Sequence, residues 1–240
     1  MSNQTDITAS SLEALNQRYE MITHNLANAN TIGFKRTRSL FEQQLKKSMG
    51  GPSSPIAGID SKSHIDFLPG TTVKTDRPLD LALSGNGFFA LETPKGTLYT
   101  RNGTFNINSQ GQLVDTAGRL VAGENGPIVL PKSVSIEQIK IGPEGSVIAD
   151  GKTLGKIKIV DFANPQTLRS FGNGVFAAPA SVETQASKAT VYQGYQESSN
   201  VNVVEELTSL IAVTRMYEAN LKTVNAGDDR LKTILQVAMM

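Results

Sequence analysis

Apolar residues recur at helical spacing at both ends of the chain. One series runs from 203 to 238 in alternating steps of four and three, and a shorter series begins at residue 12. The spacing averages about 3.5 residues and is typical of helices that pack in coiled coils. Because neither stripe is stable in water alone, each helix is expected to pack against the other or against copies of itself. The predicted interface consists of Leu12, Leu15, Tyr19, Ile22, Leu26, Val203, Leu207, Leu210, Thr214, Tyr217, Leu221, Val224, Leu231 and Leu235.

The longer stripe has a simpler interpretation, in which one helix lies on the core of its own domain. Its length argues against that, since about five heptads make roughly 50 Å of helix. A core in a chain of this size would not cover such a length, so burial between copies is favoured.

Local signals place the ends of the predicted helices. The first helix is predicted over about 6 to 29, because Asn28 to Gly33 contains residues that tolerate left-handed backbone. Phe34 to Lys47 is interpreted as a second, shorter helix. The last helix is predicted to begin after Asn202, which resembles a capping box with Glu205.

The middle of the chain changes to a period of two. Residues 48–72 are rich in Gly and Pro and predict an extended connector. From 73 to 197, alternating apolar residues and closely spaced turns predict consecutive β-hairpins. The turn signals are Gly85-Asn86-Gly87, Lys95-Gly96, Asn102-Gly103, Gln110-Gly111 and Ala117-Gly118.

Together these patterns predict an α+β fold. A discontinuous helical, coiled-coil domain is expected from residues 1–47 and 198–240. Residues 48–72 form its connector to an inserted all-β domain of hairpins at 73–197. One phrase occurs twice, in 85–90 and 172–177. A duplicated hairpin would explain it, but a favoured turn used twice is the preferred interpretation.

Composition excludes several kinds of site. The chain has no Cys and only two His, so disulfides and a Cys nucleophile are excluded and a zinc site is not expected. The Gly-x-Gly pieces match neither a dinucleotide-binding nor a phosphate-binding loop. Carboxylates such as Asp76, Asp80 and Glu92 could be imagined in a glycosidase, but they are typical of any solvated β-face. No catalytic, cofactor-binding or metal residues and no small-molecule substrate are predicted.

The charge balance argues against nucleic acid as a partner. The net charge is +1, and the short cluster of Lys35, Arg36 and Arg38 is interpreted as a solvated or subunit-contacting surface. No run approaches the roughly 18–20 apolar residues of a membrane span, so no direct membrane insertion is expected. The first residues do not resemble a secretory signal peptide. These points alone favour the cytosol.

Three segments together resemble the axial proteins of the bacterial flagellum, the rod and hook family of the basal body. They cover 24–35, 77–114 and 197–220, in the order found in that family. The first contains Asn-Leu-Ala-Asn followed by Thr and Gly-Phe-Lys, and the third begins with Glu-Ser-Ser-Asn-Val-Asn. The motif residues are Asn25, Leu26, Asn28, Thr31, Gly33, Phe34, Asn200 and Val201.

The resemblance implies a structural subunit of the basal-body rod, a drive shaft that transmits torque. Terminal helices would form an inner tube wall by helical stacking, with the β domain outside. Expected partners are further copies, other rod and hook axial proteins and the flagellar export apparatus. Export without a cleaved signal peptide would place the chain in the periplasmic basal body. The length and the middle region resemble a rod protein more than the hook protein. Gly123 to Ile128, followed by Pro131, and the modest total length resemble a proximal rod subunit, with the distal rod protein or another axial protein of the family as the alternative.

Two alternatives belong to other classes. A secreted β-rich binding module or adhesin could use the helices only to dimerise. An enzyme such as a carbohydrate hydrolase would need a cleft that gathers carboxylates from distant positions.

Overall fold

The computed structural model describes residues 2–39, 63–131 and 134–238. Two α-helices lie at the ends of the described chain, α1 at Ser2–Ala27 and α2 at Val203–Ala238. Antiparallel strands occupy the middle, so the predicted α+β class is confirmed. None of the described helices is both long enough and apolar enough to cross a membrane.

The described strands are short and follow one another along the chain. The first nine are β1 Thr37–Ser39, β2 Ser63–Ile65, β3 Thr72–Lys74, β4 Leu81–Ser84, β5 Phe88–Thr93, β6 Gly96–Thr100, β7 Phe105–Ile107, β8 Leu113–Asp115 and β9 Leu120–Val121. The others are β10 Lys140–Ile141, β11 Ser146–Ala149, β12 Lys152–Lys156, β13 Ile159–Asp161, β14 Arg169–Gly172, β15 Val175–Ala177, β16 Gln185–Ala186, β17 Thr190–Gln193 and β18 Tyr195–Glu197.

The chain divides into two compact units, each assembled from separate stretches of sequence. The helical unit contains 1–27, 37–64 and 202–240, and the β unit contains 28–36 and 65–201. Residues 28–36 and 198–201 therefore pack within the β unit, whereas the sequence pattern had grouped them with the helices. Hydrogen bonds explain this, because the amide of Gly33 donates to the carbonyl of Glu197 at 2.7 Å.

Within the helical unit, α1 packs against α2. Ile22 of α1 and Val213 of α2 are buried there. The start of α2 agrees with the prediction, since Oδ1 of Asn202 accepts the amides of Val204 at 3.1 Å and Glu205 at 3.4 Å. Asn202 thereby satisfies two of the amides that a helix leaves without backbone partners.

The β unit is built on one large antiparallel sheet in the order β14-β15-β6-β5-β9-β8-β7. Strand β13 also pairs with β5 and carries β16, while β10-β11-β12 form a separate sheet. Strand β4 pairs with β17, and β3 pairs with β18. The main core is aliphatic around Phe89 and Phe105, whose rings meet edge to face. A second cluster is aromatic and contains Phe88, Tyr99, Phe162 and Phe176.

Three of the predicted turns join strands that pair with each other. Lys95-Gly96 connects β5 to β6, Gln110-Gly111 connects β7 to β8, and Ala117-Gly118 connects β8 to β9. The turns at 85–87 and 102–103 do not form hairpins. Strand β4 pairs with β17 in a separate sheet, whereas β5 belongs to the large sheet, so the first of these turns joins strands of different sheets.

The two copies of the repeated phrase lie on the two sides of β6, but they are offset by one residue. Thr100 pairs with Phe89 on one side and Val175 on the other, and Tyr99 pairs with Ala90 and Phe176. In the repeat, Phe89 corresponds to Phe176 rather than to Val175. The two copies therefore share sequence but not register, and equivalent residues face opposite sides of the sheet.

The predicted helix from Phe34 to Lys47 is wrong where it can be compared. Phe34 to Arg36 are extended and Thr37–Ser39 form β1, while residues 40–47 lie outside the described part of the chain. The backbone of Thr37 is held in this form by Asn25, whose Oδ1 accepts the Thr37 amide at 2.9 Å.

Candidate assembly surfaces

One flank of α2 is buried inside the helical unit. Glu206 and Val213 are almost completely withdrawn from solvent, and Leu210 and Val224 are half-buried. These residues lie on one face at helical spacing. This flank is the one that the chain covers with its own residues.

A second flank of α2 is apolar and exposed. Val203, Leu207, Tyr217 and Leu221 belong to the predicted stripe, and each exposes about two fifths of its surface; Thr214 is exposed beside them. Val204 and Ile211, which the heptad pattern did not include, are 72% and 56% exposed. The predicted interface residues Leu231 and Leu235 lie outside the part of α2 whose side chains the structure describes.

The two flanks point in different directions. At 100° per residue, the exposed stripe is centred roughly 70° around the helix from Glu206 and Val213. The residues of the two flanks together span at most half of the circumference of α2, which is wider than the stripe of a helix packed on one face. The structure covers only the narrower part of that surface.

Helix α1 shows a weaker version of the same division. Ile22 is buried, Tyr19 is 46% exposed, and Leu12, Leu15 and Leu26 are half-buried. A groove of about 740 Å³ runs along the helix and includes Leu15 and Met216 in its wall. The helical unit therefore offers apolar surface on both of its helices.

The motif residue Asn25 fixes the backbone of β1 beside α1. Its Nδ2 donates to the carbonyl of Thr37 at 2.8 Å, and its Oδ1 accepts the amide of the same residue. The same Nδ2 lies 3.3 Å from Oε1 of the buried Glu206. Asn25 is 2% exposed, so its amide group satisfies buried polar atoms on two elements of the helical unit.

The next motif residues form a turn in the β unit. Oγ1 of Thr31 donates to Oδ1 of Asn28 at 3.1 Å, and the amide of Phe34 donates to the carbonyl of Thr31 at 3.2 Å. Gly33 has φ +68°, and a Cβ there would overlap the backbone of Asn102. Only glycine suits this position, and Phe34 is buried directly after it.

Buried charges meet at Glu197. Its Oε1 accepts from Nζ of Lys35 at 2.5 Å and from the amide of Gly70 at 3.0 Å, and its Oε2 lies 3.4 Å from Nη1 of Arg101. The side chains of Lys35, Arg101 and Glu197 are at most 4% exposed. One carboxylate thus binds two cations in a site that is almost fully buried.

Burial dominates the protonation of these cations. The pKa of Lys35 lies below its ordinary value because desolvation disfavours the ammonium, and the attraction of Glu197 opposes the shift only in part. Desolvation also lowers the pKa of Arg101, again opposed by Glu197. The guanidinium of Arg101 lies 5.4 Å from the ring centre of Phe88.

Asn200 connects three separate segments of the β unit. Its Oδ1 accepts the amide of Arg36 at 2.7 Å, and its Nδ2 donates to the carbonyls of Asp66 at 2.8 Å and Leu68 at 2.9 Å. Its neighbour Val201 is half-buried, and the Val201 amide donates to Oγ of Ser199 at 3.2 Å.

Two members of the basic cluster do not lie on the solvated or subunit-contacting surface that the sequence suggested. Lys35 and Arg36 are 2% and 3% exposed, and they bond within the β unit to Glu197 and Asn200. The sequence alone assigned no role to Glu197 or Arg101. The available signal was their position inside the segments that resemble the family, where Arg101 follows Tyr99-Thr100 and Glu197 precedes Ser198-Ser199.

The carboxylates considered for hydrolysis do not converge. Asp80 is buried, and its Oδ2 accepts from Oγ1 of Thr75 and Nε2 of Gln196, both at 2.8 Å, whereas Asp76 and Glu92 are exposed. Within 2–39, 63–131 and 134–238, no group of three His, Asp or Glu side chains is arranged to hold a metal ion. The polar contacts above stabilise structure.

Three family models match the chain in order. Residues 3–35 match the flagella basal body rod protein model, and 82–149 match the D1 domain of the flagellar hook protein FlgE/F/G. Residues 192–237 match the C-terminal model of the flagellar basal body rod FlgEFG proteins. The first and third matches include the turn after α1 and the start of α2.

Similar proteins cover almost the whole chain. The flagellar basal-body rod protein FlgG of Buchnera aphidicola subsp. Schizaphis graminum is 33% identical over 264 residues, covering 96% of this chain and 98% of that protein. The rod protein FlgF of Mesorhizobium japonicum is 32% identical over 242 residues and 98% of each chain. FlgG of Bacillus subtilis is 31% identical, over 95% and 96% of the two chains. The chain belongs to the family of flagellar basal-body rod proteins.

Proposed function

We propose that this chain is a structural subunit of the bacterial flagellar basal-body rod that polymerises through its terminal helices. The observation that carries the proposal is the exposed apolar flank of α2, which remains after α1 has covered the other flank. Family membership supports the rod as the site of action. The role is structural, and the buried polar groups serve the fold.

Assembly through the two helices explains their incomplete packing. In this proposal the helical unit is the discontinuous coiled-coil domain, made from both termini, and the β unit is the inserted domain of antiparallel strands. Burying an exposed Leu or Val side chain contributes about 1.5–3 kcal/mol. A few such side chains on each copy are enough to drive association once neighbouring subunits supply the missing surface.

The proposed partners are further copies of the chain and other rod and hook axial proteins. The relatives that support this are named as basal-body rod proteins, and one matching model also includes hook proteins. We also propose passage through the flagellar export apparatus without cleavage of a signal peptide, and a final position in the periplasmic part of the basal body. The mass of the chain isolated from purified basal bodies would show whether a signal peptide has been cleaved.

Within the rod we propose a proximal position, with a distal position as the alternative. The segment from Gly123 to Ile128, followed by Pro131, and the modest total length support it. Cross-linking to neighbouring subunits in isolated basal bodies would decide the position.

The alternative of a secreted adhesin has little support. The matched models and the relatives named above are rod or hook proteins.

A charge-insertion experiment tests the proposal. A strain lacking the gene is complemented with the chain carrying Leu207→Asp and Ile211→Asp, both on the exposed flank. We expect loss of swimming and of complete rods in electron micrographs, because two carboxylates cannot be buried between copies at modest cost. Soluble monomer with unchanged helical circular dichroism would show that folding is intact.

The matched control places the same two charges elsewhere on α2. Ala212 and Thr223 are exposed and lie on the side away from both apolar flanks, so Ala212→Asp with Thr223→Asp should retain swimming. Normal rods in the Leu207 and Ile211 double variant would refute assembly through this flank.

A further inference from the structure

We propose that Asn200 is a positioning residue that ties together the chain segments through which the β unit is connected to the helical unit. The inference rests on the proposed function, because it assigns this residue a role in a subunit that transmits torque. It concerns contacts within the β unit alone.

The chain passes between the two units at four places along the sequence, after residues 27, 36, 64 and 201. Three of these crossings lie within a few residues of one side chain. Asn200 itself precedes the crossing at 201, its Oδ1 accepts the amide of Arg36 at 2.7 Å, and its Nδ2 donates to the carbonyl of Asp66 at 2.8 Å. One carboxamide therefore joins three crossings.

The surrounding contacts give the carboxamide a fixed setting. The amide of Asp66 donates to the carbonyl of Arg36 at 2.8 Å, so the two segments that Asn200 joins are also bonded to each other. The carbonyl of Leu68 accepts from Nδ2 of Asn200 at 2.9 Å and from Nζ of Lys35 at 2.8 Å. Lys35 in turn is neutralised by Glu197.

The chemistry at this position requires an Asn side chain. One acceptor faces a backbone N–H, and two donors face backbone carbonyls, which only a primary amide supplies at this length. Aspartate would keep the acceptor but turn a carboxylate toward two carbonyl oxygens. In a subunit that transmits torque, force passes between the two units along the covalent chain at these crossings. By bonding to all three segments, Asn200 restricts their movement relative to one another.

Hydrogen exchange on the full chain, followed by mass spectrometry, tests the tie directly. In Asn200→Ala we expect peptides covering 34–38 and 64–69 to exchange at least tenfold faster than in the unaltered chain. Peptides covering β5 and β6 should be unchanged, because those strands have no contact with the carboxamide. Unchanged exchange at 34–38 and 64–69 would overturn the proposal.

A titratable variant adds a readout that general loss of stability would not give. In Asn200→Asp, we expect exchange at the crossings to be much faster than in the unaltered chain at pH 7. This difference should become smaller as the pH falls toward about 4, because a protonated carboxyl regains one donor. The ratio of variant to unaltered rates should fall by severalfold. A ratio that does not change with pH would count against donation to the carbonyls.

Asn108 supplies the matched control. It is half-buried like Asn200, and its side chain also makes three hydrogen bonds, accepting the amides of Gln110 and Gln112 and donating to Oε1 of Gln112. Asn108→Ala should leave exchange at the crossings and swimming unchanged.

Swimming separates the two levels of the proposal. If Asn200→Ala shows both faster exchange at the crossings and reduced swimming, the result supports a role for Asn200 in torque transmission. Faster exchange with normal swimming would overturn that role. If a strain lacking the whole chain builds normal rods, the proposed function fails, and the exchange result stands apart from it.

Discussion

The ammonium of Lys35 lies 2.5 Å from the carboxylate of Glu197, and neither side chain is accessible to solvent. The same carboxylate faces the guanidinium of Arg101 at 3.4 Å. Residue 35 follows the first helix and residue 197 precedes the second, so the ion pair joins positions far apart in sequence. Both partners are buried, so removing one of them would leave the charge of the other without its partner in a nonpolar environment.

Replacing Glu197 should therefore be severe. Glu197→Gln removes the carboxylate that binds both buried cations, and we expect the free energy of unfolding of the β unit to fall by roughly 3–5 kcal/mol. Urea denaturation of the full chain, followed by tyrosine fluorescence, measures the change. The control is Glu124→Gln, which breaks the half-exposed pair with Lys156 and should cost less than about 1 kcal/mol. Equal effects in the two variants would contradict the importance assigned to the buried pair.

Alkaline pH provides a second test through Lys35. Its pKa in the folded chain lies below the ordinary value of 10.5, because burial disfavours the ammonium. Between the two values the unfolded chain holds a proton that the folded chain has released, so stability should rise with pH across that interval. Below the folded pKa both states are protonated, and the contribution of Lys35 is constant.

The rise should disappear in Lys35→Met. Denaturation midpoints measured from pH 8 upward would show a flatter curve for this variant than for the unaltered chain. Lys152→Met, at an exposed position of β12, should retain the rise. Identical curves for all three proteins would show that Lys35 does not contribute to the pH dependence.

Gly33 offers a backbone test of the turn after α1. Gly33→Ala must adopt φ +68° and also overlap the backbone of Asn102, and we expect a loss of roughly 3 kcal/mol in the free energy of unfolding. Gly118→Ala separates the two causes, because Gly118 has φ +80° with no atom near its added Cβ. That variant should lose only about 1 kcal/mol. Thermal unfolding of both proteins measures the difference.

The two flanks of α2 should respond differently to truncation. Val213→Ala removes two methyl groups from a buried position and should destabilise the helical unit by about 2 kcal/mol. Leu221→Ala, on the exposed flank, should change the stability of the monomer by less than about 0.5 kcal/mol. Circular dichroism of the helices during heating measures both. In complemented cells, Leu221→Ala is the variant expected to weaken rod assembly. If Leu221→Ala instead destabilised the monomer more than Val213→Ala did, the assignment of the two flanks would be wrong.

Local signals in the sequence were sufficient for the two terminal helices and for several turns. Asn202 caps α2 as its pattern indicates, because the contact involves residues only two and three positions away. The turns at 95–96, 110–111 and 117–118 likewise join neighbouring strands. Each of these features depends on a few consecutive residues.

Features set by distant residues could not be predicted in this way. Thr37–Ser39 form a strand because they pair with β2 and because Asn25 binds the backbone of Thr37, whereas the sequence pattern had favoured a helix from Phe34 to Lys47. Lys35 is buried because Glu197, far along the chain, neutralises it. A basic cluster looks the same in sequence whether its partner is water or a carboxylate brought to it by the fold.

The β unit begins and ends side by side. Strand β3, near its start, pairs with β18, near its end, with Thr72 opposite Glu197. Material can therefore be added to or removed from the loops between these strands without changing where the chain enters and leaves. Evolution could enlarge or trim the β unit in this way while leaving unchanged the segments that lead to both helices.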